Sequence, residues 1–146
     1  MSLGTRNPVA SSQGFGEPGS LTILVAEDQP DVLAYVGEVL QTHGYRVLEA
    51  VDGVAALEVA AQHSGPIDLL LTDIEMPRLD GHELHRRLNH QRPETKTLFM
   101  SGSFDTGLNP AFAFLSKPFF AGALVRKVSE VLRQSSPRNQ LRIPAG

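Results

Sequence analysis

The sequence predicts one α/β domain built on a parallel β-sheet with helices on both faces. Two observations support this fold class. Between about residues 20 and 134, short apolar runs alternate with segments in which apolar residues recur every three to four positions, and strands that alternate with helices join as a parallel sheet. Polar residues also follow the ends of four of the apolar runs. Ligands of such sheets bind outside the carboxyl ends of the strands, so these residues predict one site.

The first strand and the first helix are predicted within residues 21–44. The apolar run 21–26 is the first strand candidate. Pro30 suits the first turn of a helix, because a first-turn N–H has no helical partner and proline lacks that N–H. Apolar side chains then recur at helical spacing until Gly44, a residue type that commonly ends helices.

The second strand, the second helix and the third strand follow in residues 45–73. Residues 45–49 are a short strand candidate. Asp52-Gly53 opens an alanine-rich helix that extends to about Gln62. Gly65-Pro66 then interrupts the chain before a strongly apolar strand over residues 67–73. The third strand therefore ends on a carboxylate, that of Asp73.

The third helix is predicted from its first turn. Asp80 and Glu83, three residues apart, resemble a capping box. Leu84 and Leu88 share one face of the helix that follows, and Pro93 ends the region.

The last three elements are two strands and a helix. Residues 97–100 and 112–115 are the fourth and fifth strand candidates. The final helix carries apolar residues at helical spacing, namely Leu124, Val125, Val128, Val131 and Leu132.

Composition limits the number of domains and the kinds of partner. With 146 residues, of which 41% are hydrophobic, the chain can bury one core. A formal net charge of -3 without a Lys/Arg stripe argues against a nucleic-acid surface. No apolar run approaches the roughly 18 residues of a membrane span, and no signal peptide opens the chain, so we expect a cytoplasmic location. The absence of cysteine excludes thiolate ligands and nucleophiles.

The two ends of the chain differ from its centre. Residues 1–19 combine Gly, Ser and Pro without a hydrophobic period, and residues 135–146 also lack a period and contain two prolines. We expect a flexible leader and a flexible tail around a folded domain of residues 20–134.

Five polar residues are expected to meet at the carboxyl edge of the sheet. They are Glu27, Asp28, Asp73, Ser101 and Lys117. Carboxylates brought close repel each other, by about 4 kcal/mol for a pair about 4 Å apart at an effective dielectric of about 20. A cation should therefore bind among them. An all-oxygen ligand set favours Mg²⁺, with Mn²⁺ as the alternative.

The same residues suggest a reaction. A carboxylate beside a divalent cation can attack phosphorus and form an acyl phosphate. Asp73 is the candidate nucleophile, while Lys117 and Ser101 are the candidate ammonium and hydroxyl that neutralise charge on the phosphoryl oxygens.

The motifs that carry these residues resemble the receiver (response-regulator) domain of two-component signalling. I-L-V-A-E-D, D-I-E-M-P-R-L-D-G, F-M-S-G and F-L-S-K-P-F occur in the family's order within residues 22–132. The resemblance implies a flavodoxin-like sheet of five strands in the order 2-1-3-4-5. It also implies a histidine kinase or histidine phosphotransfer domain as partner. The phrases around the first and third strands look most like C-terminal receivers of hybrid histidine kinases, in which the leader would be an interdomain linker.

The resemblance implies a role for each site residue. The metal would be served by Glu27 and Asp28 and by the backbone carbonyl of Glu75, beside the phosphoacceptor Asp73. The phosphate-binding lysine and the two switch residues would come from the fourth and fifth strands: Lys117, Ser101 and Phe114. A receiver promotes its own phosphorylation and dephosphorylation, so no turnover of an independent substrate is expected.

The interval between Ser101 and Lys117 departs from the family because it is shorter than usual. Several of its residues favour a loop over a helix. They are Gly102, Gly107, Asn109 and Pro110. We therefore expect the family's fourth helix to be truncated or missing, which puts output through that face in question.

Other functions remain open at the level of the sequence. A pseudo-receiver would bind a partner constitutively, which the short interval favours and the intact acidic residues disfavour. A metal-dependent phosphatase would need a carboxylate two residues beyond Asp73; Glu75 has this spacing, but the chain has no cap for a substrate pocket. His82 and His85 flank Glu83, yet H-E-L-H is not the H-E-x-x-H spacing of zinc enzymes.

Overall fold

The computed structural model describes residues 20–102 and 112–134. These residues form five strands and four helices. In chain order they are β1 (Thr22–Ala26), α1 (Pro30–Thr42), β2 (Arg46–Ala50), α2 (Gly53–Gln62), β3 (Leu69–Asp73), α3 (Gly81–Gln91), β4 (Lys96–Ser101), β5 (Ala113–Ser116) and α4 (Ala121–Arg133). The strands pair in parallel in the order 2-1-3-4-5. The predicted flavodoxin-like α/β fold is confirmed.

Successive strand residues face two separate cores. In β1, Ile23 and Val25 pack with α1 and α4, whereas Leu24 and Ala26 pack with α2 and α3. The central strands are buried on both faces, which explains why they read as continuous apolar runs. Fully burying an aliphatic side chain contributes about 1.5–3 kcal/mol, so the two cores fix the sheet between its helical layers.

The first two helices begin and end where their local residues predict. Pro30 is the first residue of α1. Gly44 follows the helix with a φ of 92°, a left-handed conformation that glycine adopts without a Cβ penalty. Asp52 caps α2, because its Oδ1 accepts a hydrogen bond from the Ala55 N–H at 2.8 Å.

The predicted capping box of α3 forms only in part. Asp80 Oδ1 accepts from the Glu83 N–H at 2.9 Å, so the N-cap is confirmed. The Glu83 carboxylate is instead bonded by Arg86 and Arg87 on its own helix. These hydrogen bonds, Arg86 first, lower the pKa of Glu83 to about 2. The helix ends at Gln91, before Pro93, as predicted.

Strand ends differ from the predictions by one or two residues. β2 covers residues 46–50 rather than 45–49, and β5 covers 113–116 rather than 112–115. β3 begins at Leu69 rather than at residue 67. Ile23 pairs with Leu69 and β1 begins at Thr22, so residue 67 has no partner in β1. The apolar run alone therefore does not show at which residue β3 begins.

Three expectations fall outside the described residues. The expectation of a truncated or missing fourth helix falls on residues 103–111. The expected flexible leader is residues 1–19, and the expected flexible tail is residues 135–146. Among the helices of residues 20–102 and 112–134, none has the length and apolar character needed to cross a bilayer.

Candidate functional site

The sheet register brings the predicted site residues to one edge. Ala26 and Thr72 are paired at the ends of the neighbouring strands β1 and β3, so Glu27 and Asp73 follow side by side. Ser101 pairs with Ser116 at the end of β4 and β5, and Lys117 comes next in the chain. The five predicted residues are thus at the carboxyl edge, where parallel sheets bind ligands.

Glu27, Asp28 and Asp73 form an acidic cluster. Each contributes a carboxylate oxygen that lies within 4.8 Å of the other two. Glu27 is fully buried, Asp73 is 8% exposed and Asp28 is half-buried. Oxygen donors at this spacing fit a divalent cation such as Mg²⁺, which takes one or two protein carboxylates and keeps several waters. The donor set therefore agrees with the predicted metal.

Lys117 places an ammonium group between two carboxylates of the cluster. Its Nζ donates to Glu27 Oε1 at 2.8 Å and lies 3.4 Å from Asp73 Oδ2. Burial lowers the pKa of Lys117, but Glu27 and Asp73 outweigh burial and hold the pKa above its ordinary value. The second Glu27 oxygen accepts from the Gln29 N–H at 3.0 Å. Lys117 is therefore a cation facing oriented carboxylates.

The Asp73 carboxylate is oriented but electrostatically disfavoured. The Ile74 N–H donates to its Oδ1 at 2.9 Å. Burial, followed by the negative charge of Glu27, raises the pKa of Asp73, and Lys117 offsets this only in part. A cation bound in the acidic cluster would relieve the repulsion.

The start of α3 packs directly against the Asp73 backbone. We call residues 74–80, which connect β3 to α3, the acceptor loop. The Gly81 N–H donates to the Ile74 carbonyl at 2.7 Å. A Cβ on Gly81 would lie 2.3 Å from the Asp73 carbonyl oxygen, so a side chain does not fit. Sequence reasoning missed this contact, because a glycine at a helix start does not reveal which backbone it approaches.

Three other predicted residues have defined positions, and their roles stay predictions. Ser101 is half-buried at the end of β4, and its carbonyl accepts from the Lys117 N–H at 2.8 Å. Phe114 is half-buried on β5, with its ring centroid 5.8 Å from that of Phe99. Glu75 is exposed in the acceptor loop.

The two histidines considered for zinc pack against aromatic rings. His82 and His85 both contact the Phe99 ring, with centroid distances of 5.0 and 5.9 Å. His85 Nδ1 lies 2.8 Å from Thr97 Oγ1. Within residues 20–102 and 112–134, one group of three or more potential ligands is close enough to share an ion, and it is the acidic cluster. The two histidines do not belong to it.

An ion pair near the site was also missed. Arg78 in the acceptor loop pairs with Asp52 at the start of α2 at 2.8 Å. The two residues belong to different motifs, and no pattern in the sequence links them.

The fold and the acidic edge together define a receiver-type α/β domain. A family model of the response regulator receiver domain matches residues 23–129. The chain belongs to this family.

Two curated relatives and one solved structure show the settings in which similar chains occur. Over 122 residues the chain is 38% identical to Sensor kinase CckA of Brucella abortus (strain 2308), covering 80% of this chain and 13% of that protein. Over 116 residues it is 37% identical to Response regulator receiver protein CpdR of the same strain, covering 75% of this chain and 95% of CpdR. The crystal structure of the receiver domain from Hybrid Histidine Kinase CckA matches with a TM-score of 0.68 and 36% identity, covering 77% of this chain and 99% of that one. The chain thus spans a small part of one relative and nearly all of another.

Proposed function

We propose that the chain accepts a phosphoryl group on Asp73 from a phosphohistidine of a histidine kinase or histidine phosphotransfer domain. The observation that carries this proposal is the convergence of three carboxylates within 4.8 Å, with the Lys117 ammonium 3.4 Å from Asp73. Membership of the receiver family supports it.

The proposed reaction is an in-line phosphoryl transfer. An Asp73 carboxylate oxygen forms a bond to phosphorus while the P–N bond to the partner's imidazole breaks, and the electron pair of that bond stays on the imidazole nitrogen. Lys117 would neutralise negative charge on the phosphoryl oxygens, and Ser101 is the proposed hydroxyl donor. Glu27, Asp28, Asp73 and the Glu75 carbonyl would hold Mg²⁺, whose positive charge adds to that of Lys117 when it is bound.

The proposed output is a shift between two conformations of the β4–β5 side of the domain. Ser101 and Phe114 are on these adjacent strands, and a phosphoryl group on Asp73 would favour the conformation that contacts it better. The setting of the chain, on its own or within a hybrid histidine kinase, and its cytoplasmic location stay predictions.

Phosphorylation by acetyl phosphate in the presence of Mg²⁺ tests the proposal. We expect an intact mass increase of one phosphoryl group that hydroxylamine removes, and its loss in Asp73→Asn. Asp68→Asn is the matched control, because Asp68 immediately precedes β3 at the end of the strand opposite Asp73. Its Oδ2 accepts a hydrogen bond from the Thr22 N–H at 2.8 Å. The side-chain oxygen of asparagine can accept the same hydrogen bond.

Two outcomes would contradict the proposal and favour the alternatives. If the parent chain forms no adduct at any Mg²⁺ concentration, the chain is a constitutive binding module. If it hydrolyses phosphate monoesters with rapid turnover, it is a phosphatase.

A further inference from the structure

The tip of the acceptor loop has an uncommon backbone conformation. Arg78 has a φ of 70°, and the Leu79 N–H donates to the Pro77 carbonyl at 2.8 Å, which closes a three-residue turn around Arg78. Such turns with positive φ are rare for residues other than glycine, and they persist where their surroundings hold them. Contacts of Arg78 with the rest of the domain are therefore expected to hold this turn in place.

The Arg78 side chain crosses to the start of α2 and pairs with Asp52. Its Nε and Nη2 donate to Asp52 Oδ2 at 3.0 and 2.8 Å, while Asp52 Oδ1 accepts from the Ala55 N–H. Asp52 is only 7% exposed. The ion pair therefore joins the strained turn to a carboxylate that α2 already holds in place.

The loop is also held on both sides of this ion pair. Leu79 packs so closely on α2 that a Cβ on Gly53 would lie 2.6 Å from the Leu79 carbonyl oxygen. At the start of α3, Gly81 bonds back to Ile74. Glu75 belongs to the short segment between these contacts, so the position of its backbone depends on them.

We propose that Arg78 and Asp52 are positioning residues. Their ion pair holds the acceptor loop so that the Glu75 backbone carbonyl can coordinate the cation bound by the acidic cluster. The inference rests on the proposed function, since it assumes that a divalent cation binds there. Neither residue belongs to the cluster itself.

Two single variants remove the ion pair from opposite sides. Arg78→Asn removes the guanidinium with a residue type that tolerates a positive φ, and it does not add the backbone freedom of a glycine. Asp52→Asn keeps an oxygen for the Ala55 N–H and remains a good N-cap. Binding of Mn²⁺ to the parent and each variant is measured by electron paramagnetic resonance of the free ion, and thermal unfolding is followed in parallel.

We expect the Kd for Mn²⁺ to rise about tenfold in each variant, with no further loss in the double variant because either change removes the same contact. A direct effect of charge behaves differently. Removing the positive charge of Arg78 would tighten Mn²⁺ binding, whereas removing the negative charge of Asp52 would weaken it. Weaker Mn²⁺ binding in both single variants would therefore identify a positioning role.

The possible failures are distinguishable. If the parent binds Mn²⁺ and both folded variants bind it equally well, or shift in opposite directions, the positioning role is wrong and the proposed function stands. A loss of thermal stability without a change in Kd would also overturn it. If the parent itself binds no Mn²⁺, the proposed metal site fails and this inference fails with it.

Discussion

At the scale of single residues, the buried carboxylate of Glu27 gives Lys117 a structural role. Glu27 is inaccessible to solvent, and its Oε1 is bonded to Lys117 Nζ at 2.8 Å. A buried carboxylate that loses its cationic partner becomes strongly unfavourable. The residue proposed to bind phosphate therefore also stabilises the site before phosphorylation.

Removing Lys117 should destabilise the domain. We expect Lys117→Met to lower the free energy of unfolding by about 3 kcal/mol, because Glu27 stays buried without its partner. Adding Glu27→Gln should recover part of this loss, since a neutral amide needs no cation. Urea denaturation of the two single variants and the double variant measures the coupling. Strictly additive losses would show that the two side chains do not act as a pair.

At the scale of elements, the start of α3 packs against the end of β3 without room for a side chain at Gly81. Gly81→Ala would place a Cβ 2.3 Å from the Asp73 carbonyl oxygen, where only backbone could move. We expect a loss of about 1–3 kcal/mol in unfolding free energy, as for other overpacked positions, together with slower phosphorylation of Asp73.

A glycine at a comparable position provides the control for this substitution. Gly122 is in the first turn of α4, and a Cβ there meets no atom within 4 Å. Gly122→Ala should leave stability unchanged or raise it slightly, because alanine favours helix. Equal losses in the two variants would mean that helix position, and not contact with Asp73, sets the cost.

The contact between α3 and β4 should make stability depend on pH. Burial, followed by the charge of His82, lowers the pKa of His85. The unfolded chain takes up this proton near pH 6.5, whereas the folded domain takes it up only at lower pH. The stability that the domain gains from keeping His85 neutral is therefore fully present above about pH 6.5, and it is lost as the pH falls below that value.

Substitution of His85 isolates this contribution. His85→Gln keeps a polar group near Thr97 but cannot titrate, so its unfolding free energy should fall less than that of the parent between about pH 8 and about pH 5. Denaturation at both pH values measures the difference, and the value at high pH gives the packing cost alone. Parallel decreases in the two proteins would contradict the assignment.

The elements also show what a single sequence can and cannot predict. The starts and ends of helices depend on local residues such as Pro30, Gly44 and Asp80, and these predictions are confirmed. The convergence of the candidate residues was predictable because parallel strands deliver their last residues to one edge, while the roles of these residues stay predictions. The contacts of Gly81 with Asp73 and of Arg78 with Asp52 were not, because periodicity shows which face is apolar but not which side chains meet across elements.

At the scale of the whole molecule, we expect the acidic cluster to couple cation binding to folding. Glu27 and Asp28 follow β1, and Asp73 is the last residue of β3. Both strands contribute residues to both cores. Because the cluster assembles only in the folded domain, a divalent cation should stabilise the fold by mass action.

Thermal unfolding with and without Mg²⁺ tests this coupling. At about 100 times Kd, Mg²⁺ should add about 2.7 kcal/mol to the free energy of unfolding, and the increase should be smaller or absent in Asp28→Asn. NaCl at matched ionic strength is the control for screening. Equal stabilisation by NaCl, or by Mg²⁺ in the variant, would mean that the cation acts outside the cluster.

The position of the phosphoryl group tests the central claim most directly. After acetyl phosphate treatment with Mg²⁺, borohydride reduction converts an aspartyl phosphate to homoserine, and peptide mass spectrometry locates it. The predicted result is homoserine at residue 73 alone. Homoserine at residue 28, or a phosphorylated chain with an unmodified Asp73, would contradict the assignment of Asp73 as the phosphoacceptor.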